Sequence, residues 1–473
     1  MGRRRQQTHG SRQQVASRGP VTQAELLRRA LQWFLKDCNF SDLKVHGNVA
    51  WKAIDLVVLG VLWAWSDRST LTKAFDDARQ LAQEMFGKVA VTTYQGFTWA
   101  LRSYTEKLLP CLWSHVHRLM EETGGEYWRI GPWLPLAVDG SRVTTPRTAS
   151  NEQAFSIKNY GHGRKAKTRS KWKNKKRRSK RISEPVKPQI WLTLIWHMGL
   201  KLPWRWRTGP STASERGHLL ELLETTVFPD QTLFCCDAGF VGYEFWKTIV
   251  AHRHSFVIRV GANVRLLKNL GRARRSRGVV YLWPDEVARK RQPPLMLRLL
   301  EFQGARGKVC LVTNVLSERD LSPRQARELY RLRWGVELQF RAFKQTFGRG
   351  KLRSRKADNA VDELHWSLVG LSLVQLFAVK EQIQVDSPPA NSSVALALLA
   401  LQDAMRNWGL AIDDPKTLAF RLRAAQKDDY HRTRSKQGRY RPKYKDKPSV
   451  TQPIVLQATP RQKQNYRALN IAA

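Results

Sequence analysis

The sequence predicts an α/β protein in which a mixed sheet is flanked by helices, with an all-helical domain before it and further helices after it. Three observations predict this class. Residues 20–125 contain several stretches of helical periodicity. Short apolar runs separated by turn residues and helical stretches follow between residues 134 and 260, namely LPLAVDGSRV, QIWLTLIWHMG, TLFCCDAGF and SFVIRV. Helical patterning returns at Ser322 and runs past Phe347.

The first helix is marked by a capping-box pattern. Thr22 is followed three residues later by Glu25, and apolar residues continue at helical spacing. Further helices are expected over 50–65, 69–86 and 93–122, which together make residues 20–125 a helical domain. Residues 1–19 are polar and basic without periodicity, so we expect them to be disordered.

The central region is expected to span residues 130–355. Helical stretches over 214–225 and 243–252 lie between its last three apolar runs, as in a sheet covered by helices. Residues 262–315 hold further strand-like pieces without a long helix and are interpreted as a β-rich insertion. C-terminal helices are expected over 356–425, and residues 426–473 form a basic, irregular tail.

The charge of the chain indicates a polyanionic partner. Lys and Arg number 82 against 39 Asp and Glu, which gives a formal net charge of +43, and a field of this sign attracts nucleic acid. The segment 158–188 is dense in Lys and Arg and cannot pack as a core element. A membrane surface is the competing partner, but the apolar run 56–65 is well short of the ~20 residues that span a bilayer.

Nothing after the N-terminus resembles the apolar core of a signal peptide, so we expect the chain to remain in the cytoplasm. The five cysteines are too sparse for a disulfide scaffold and lack the paired spacing of a zinc site, so we expect them to be reduced and structural.

Two aspartates follow apolar runs. Asp139 comes directly after 134–138 and Asp237 directly after 233–236, so each carboxylate is expected at the C-terminal end of a strand. Two carboxylates held close together indicate a hard-metal site or a proton-sharing pair. The competing interpretation for either residue alone is an ordinary cap of the turn after a strand.

A more specific pattern lies in the segment YRLRWGVELQFRAFKQTF. Its residues Tyr330, Arg333, Glu337 and Lys344 follow the spacing YxxRxxxExxxxxxK. At ~100° per residue they occupy roughly 60° of one helix face. The competing interpretation is an amphipathic helix on which Glu337 simply pairs with Arg333.

The DG motif at Asp139, the DAGF motif at Asp237 and the YxxRxxxExxxxxxK pattern resemble those of bacterial insertion-sequence transposases, in particular the insertion sequence 4 family. The resemblance covers roughly residues 130–355. It implies an RNase H-like fold in which Asp139, Asp237 and Glu337 hold two Mg²⁺ ions, with Mn²⁺ as a substitute. It also implies a β-rich insertion between the second Asp and the Glu.

The resemblance implies a cut-and-paste DNA transposase that nicks transposon ends with water and then uses the freed 3′ hydroxyl in hairpin formation and strand transfer. Tyr330, Arg333 and Lys344 would contact phosphates near the cut. Trp334 and Trp283 are candidates for stacking on a flipped base. Ordinary packing is the competing interpretation for both tryptophans.

The implied partners are double-stranded DNA, namely the terminal inverted repeats and the target, and a second copy of the chain, since two ends must be paired. No membrane partner is expected, and the chain would associate with the bacterial nucleoid. The helical domain at 20–125 would recognise the ends. The resemblance does not assign the loop 158–188; its charge favours binding to DNA phosphates, and a charged solvated loop or a nuclear localisation signal is the competing interpretation. Two alternatives stay open: another RNase H-like nuclease, and a non-catalytic DNA-binding protein descended from a transposase.

Overall fold

The computed structural model of the chain describes residues 21–41, 43–45, 49–87, 89–156, 187–271, 278–304, 307–411, 417–428 and 452–471. The tail expected at 1–19 and almost all of the loop expected at 158–188 lie outside these residues. None of the helices in the described ranges is long and apolar enough to cross a membrane.

One mixed sheet runs through the molecule in the order β10-β6-β7-β8-β9-β5-β4-β1-β2-β3. Its strands are β1 (Leu134–Thr144), β2 (Gln189–His197), β3 (Leu202–Gly209), β4 (Thr232–Cys236), β5 (Ser255–Val260), β6 (Arg265–Lys268), β7 (Val279–Leu282), β8 (Leu295–Gly304), β9 (Gly307–Thr313) and β10 (Ile454–Gln457).

Five of these strands form the core of the central region. β1 pairs antiparallel with β2, and β2 antiparallel with β3. On its other edge β1 pairs parallel with β4, which pairs parallel with β5. β4 is buried throughout, and β2 is buried from its fourth residue onward. Continuous apolar runs of this kind belong to strands covered on both faces. This order, three antiparallel strands followed by two parallel ones, confirms the RNase H-like prediction.

The strands of residues 265–313 extend the same sheet. β6, β7, β8 and β9 are joined by antiparallel pairing, and β9 pairs antiparallel with β5. The segment predicted as a β-rich insertion is therefore continuous with the core sheet, because β9 covers the edge that β5 would otherwise expose.

The longer helices are α1 (Gln23–Leu35), α2 (Ala53–Trp65), α3 (Leu71–Phe86), α4 (Tyr94–Gly124), α6 (Glu215–Thr225), α7 (Tyr243–Ala251), α9 (Pro323–Leu332), α11 (Ala357–Ile383), α12 (Val394–Arg406) and α14 (Pro460–Ile471). Shorter ones are α5 (Ala149–Phe155), α8 (Asp285–Arg289), α10 (Gly335–Arg341) and α13 (Leu418–Arg423).

The N-terminal and C-terminal helices share one core, centred on α11. α11 packs against α2, α4 and β3. The indole N–H of Trp65 on α2 donates to the carbonyl of Gly370 at 2.8 Å, and the indole N–H of Trp366 donates to Thr105 on α4 at 3.0 Å. Both tryptophans are buried, so the helices before and after the sheet are packed together through large aromatic side chains.

The end of the chain differs from the sequence expectation. Residues 426–473 were expected to be irregular, but Ile454–Gln457 forms β10, which pairs parallel with β6, and Pro460–Ile471 forms α14. The expectation was wrong for these residues because a four-residue strand is recognised only by its partner. That partner lies almost two hundred residues earlier in the chain.

Candidate active site

The register of the sheet places Asp139 beside Asp237. Ala137 of β1 is paired with Cys235 of β4 where the parallel pairing of these strands ends, and Asp139 and Asp237 each lie two positions beyond this pair. Adjacent strands lie about 4.8 Å apart. The two carboxylates that the sequence singled out therefore lie near each other, and the charge of Asp237 raises the pKa of Asp139.

Only one of the two follows the end of its strand. Asp237 comes directly after β4, as expected. Asp139 lies within β1, which continues to Thr144, and is paired with Leu194 of β2. The expectation that Asp139 ends its strand was wrong, because antiparallel pairing with β2 carries β1 beyond the point where β4 stops.

Glu337 is brought to the sheet by α10, and a tight turn sets its position. The helical segment predicted from Ser322 is interrupted between α9 and α10, where the amides of Trp334, Val336 and Glu337 each bond to a carbonyl three residues back. Gly335 lies in this turn, and a Cβ there would lie 2.9 Å or less from ring atoms of Trp196 on β2. The absence of a side chain at Gly335 thus allows the helix to approach β2.

Arg333 lies at the centre of the acidic groups. It is buried, and its guanidinium is 3.6 Å from the Glu337 carboxylate. Burial lowers the pKa of Arg333, but the phenol of Tyr330 and the carboxylates of the site outweigh burial, so the net pKa is raised. The ion pair between Arg333 and Glu337 that the competing amphipathic-helix interpretation expects is present. The charges of Asp139 on β1 and Asp237 after β4 also act on Arg333.

The environment of Asp139 disfavours its charged form. Burial raises its pKa from 3.8 to about 6. The backbone N–H of Gly140, which donates to the carboxylate at 2.9 Å, and the charge of Arg333 act in the opposite direction. The charges of Asp237 and Glu337 contribute to the raised value. The other two carboxylates of the predicted triad therefore raise the pKa of Asp139, although Asp237 follows another strand and Glu337 lies on a helix.

The remaining residues of the helix pattern have partners on the sheet. The ammonium of Lys344 donates to the hydroxyl of Ser141 at 2.6 Å, and Ser141 is two residues after Asp139 on β1. Burial lowers the pKa of Lys344. Tyr330 interacts with Arg259, which the register of β5 places level with Asp237. All four residues of the pattern thus lie at one edge of the sheet.

The two candidate tryptophans are placed differently. Trp334 is 56% exposed and lies three residues before Glu337. Trp283 is 4% exposed, and its indole N–H donates to the carbonyl of Gln292 at 2.9 Å. The environment of Trp283 fits the competing interpretation, which is ordinary packing, whereas the ring of Trp334 is accessible.

One carboxylate of the site was missed by sequence reasoning. Glu215 lies in the first turn of α6, and the charges of Asp139, Asp237 and Arg333 act on its pKa. A glutamate at a helix start is a common feature, so the sequence offered no separate signal for it. Ser141 and Arg259 were also missed, because their partners, Lys344 and Tyr330, are distant in sequence.

The donors of this site fit a hard divalent cation by type. Carboxylate oxygens are the ligands that Mg²⁺ and Mn²⁺ prefer. Among the described residues, no three His, Cys, Asp or Glu side chains are gathered closely enough to share one ion.

A comparison with protein-family models decides the family. Residues 134–373 match the model described as the transposase DDE domain. The chain belongs to this DDE transposase family. The matched residues include β1, β4 and α10, the three elements that carry Asp139, Asp237 and Glu337.

A relative from Escherichia coli (strain K12), the transposase InsG for insertion sequence element IS4, is 28% identical over 256 residues. The match covers 52% of this chain and 52% of the relative, so the chain spans about half the length of the curated relative it matches. Among solved structures, a cryo-EM structure of a piggyBac transposase synaptic complex with hairpin DNA is similar at 13% identity with a TM-score of 0.37, covering 86% of this chain and 85% of that one.

Proposed function

We propose that the chain is a DNA transposase of an insertion sequence, which cuts transposon ends and joins them to target DNA. The observation that carries this proposal is the meeting of Asp139, Asp237 and Glu337 around Arg333 in a DDE transposase domain. Three carboxylates from separate elements have no structural reason to converge, because their mutual repulsion destabilises the fold.

The triad would hold two Mg²⁺ ions, with Mn²⁺ as a substitute, at the edge of β1 and β4. Such cations, when bound, activate the attacking oxygen and stabilise the leaving oxygen of an in-line displacement at phosphorus. The chain's own contribution is to orient the carboxylates on a rigid sheet.

The cationic residues of the helix pattern would hold the DNA strand. Arg333 and Lys344 would bind phosphates beside the cut, with Tyr330 as a hydrogen-bond donor. Burial lowers the pKa of the Lys344 ammonium, and a phosphate beside it would restore the charged form. The exposed ring of Trp334 is available to stack on a base that flips out of the DNA duplex.

The partners follow from this reaction. Double-stranded DNA would be bound at the terminal inverted repeats and at the target, with the helices of residues 20–125 recognising the ends and the segment 158–188 contacting phosphates. The net charge of +43 supports a polyanionic partner. We further propose a homodimer, which pairs two ends, and a place at the bacterial nucleoid.

The test is a cleavage assay on duplex DNA that carries the terminal sequences of the element. Purified chain is incubated with Mg²⁺ or with Ca²⁺, and the strands are resolved on a denaturing gel. We expect Mg²⁺-dependent nicks, followed by hairpin or strand-transfer products. These products should be absent from Asp139→Ala and Glu337→Gln. They should remain in Glu328→Gln, which removes an exposed glutamate of the neighbouring helix α9.

Binding of this DNA without cleavage by the wild type would contradict the proposal. It would favour the non-catalytic DNA-binding protein instead. Cleavage that never yields products joined through a 3′ hydroxyl would favour another RNase H-like nuclease.

A further inference from the structure

Glu215 is a carboxylate that the proposed triad does not use. It begins α6, the helix that follows β3, and its side chain lies over Gly140, the residue after Asp139. A Cβ at Gly140 would be 2.7 Å from Oε1 and 2.9 Å from Cδ of Glu215. The glutamate can therefore rest against β1 only because position 140 has no side chain.

The surroundings of Glu215 disfavour its charged form. Burial raises its pKa from 4.5 to about 7, and the charges of Asp139 and Asp237 raise it as well, against the opposing charge of Arg333. Within the described part of the chain, no hydrogen bond or ion pair reaches this carboxylate. A half-buried charged group without a partner is costly.

The usual role of a glutamate at this position does not explain the arrangement. An acidic residue in the first turn of a helix is normally stabilised by the helix dipole and directed to water. Glu215 instead lies against β1 over Gly140, where burial and the charges of Asp139 and Asp237 raise its pKa.

A cavity of about 410 Å³ opens beside Glu215. One side is formed by Glu215 and by Gly239, whose backbone N–H donates to Asp237 at 2.7 Å. The other side carries Arg142, which lies over the Trp191 ring at 4.9 Å, and Arg216 also lines the cavity. The cavity therefore has room for a hydrated cation and a phosphate group beside the Glu215 carboxylate.

We propose that Glu215 is a fourth carboxylate of this metal site, and that it shares one of the two divalent cations with Asp139 and Asp237. The inference rests on the proposed function, because it assumes that the site holds a cation. It assigns to Gly140 the role of keeping the space in which the Glu215 carboxylate lies.

The test is a titration of the full chain with Mn²⁺ alone, measured by isothermal titration calorimetry at pH 8 without DNA. Glu215→Gln is expected to weaken Mn²⁺ binding at least about tenfold, as the loss of groups around a metal usually does. Asp139→Asn is expected to weaken it as well. The matched control is Glu224→Gln, an exposed glutamate on the same helix, which should bind Mn²⁺ as the wild type does.

Thermal melting in EDTA separates a ligand from a structural residue. A ligand held against like charges destabilises the metal-free fold, so Glu215→Gln should keep or raise the wild-type Tm while reducing the increase that Mn²⁺ produces. Gly140→Ala should reproduce the weaker Mn²⁺ binding. In combination with Glu215→Gln it should add little further loss, because both changes remove the same ligand.

Four outcomes would overturn the inference. Wild-type Mn²⁺ affinity in Glu215→Gln with loss in Asp139→Asn would do so and leave the proposed function standing. A lower Tm of Glu215→Gln in EDTA would assign the residue a structural role. Unchanged Mn²⁺ binding in both variants, or no binding by the wild type, would count against the proposed metal site as a whole.

Discussion

The charge of Asp139 should destabilise the metal-free protein, and Asp139→Asn should remove that cost. Burial and neighbouring carboxylates raise the pKa of Asp139 from 3.8 to about 6 in the folded state. A shift of this size corresponds to about 3 kcal/mol. The asparagine imitates the protonated carboxyl in volume and leaves Arg333 its ion pair with Glu337.

The pH dependence has a definite sign. A carboxyl whose pKa is higher in the folded state contributes stability below the unfolded value of 3.8, and this contribution is lost as the pH rises through about 6. The gain from Asp139→Asn should therefore be complete at pH 8, about half of that at pH 5, and close to zero below pH 3.

Melting in EDTA, followed by circular dichroism or calorimetry, measures this gain. A chain of 473 residues has an unfolding entropy of about 1 kcal/mol/K. The expected rise in Tm at pH 8 is therefore roughly 3 °C. Glu224→Gln, which alters an exposed carboxylate, serves as the control. An equal or lower Tm for Asp139→Asn at pH 8 would refute the reasoning, since the carboxylate would then be stabilised where it lies.

Three further substitutions test how the site is supported. Gly335→Ala should lower the cleavage rate about 100-fold, because a methyl group there displaces the turn that positions the catalytic helix; wild-type rates in the gel assay would contradict this. Gly60→Ala, whose Cβ would lie 2.6 Å from Cδ2 of Trp366, should lower stability by about 1–3 kcal/mol in thermal melting with unchanged Mn²⁺ affinity. Glu363→Gln should lower stability by about 2 kcal/mol, because the buried carboxylate accepts backbone N–H groups of residues 353–354; an unchanged Tm would exclude that role.

The local patterns of the sequence were sufficient for several features. TLFCC predicts a buried strand, and Asp237 follows its end as expected. The spacing of Tyr330, Arg333 and Glu337 predicts a shared helical face, and these residues do lie together at the sheet. Such features depend on neighbours within one or two turns, which a sequence displays directly.

Other features depend on pairing between distant residues. β1 continues past Asp139 because β2 pairs with it, and β10 is a strand because β6 accepts it. Helix α10 approaches β2 closely at Gly335 because that position has no side chain to collide with the Trp196 ring. No periodicity within these segments carries that information.

By itself, the sequence determined the α/β class, the polyanionic partner indicated by its charge, and the residue types of the candidate site. The tertiary structure alone places Asp139 near Asp237 beyond the paired ends of β1 and β4, Arg333 among the carboxylates, and Glu215 over Gly140. The reason is physical: helical and strand periodicity is a local property, whereas strand register and close approach to a glycine are set by contacts between segments far apart in the chain.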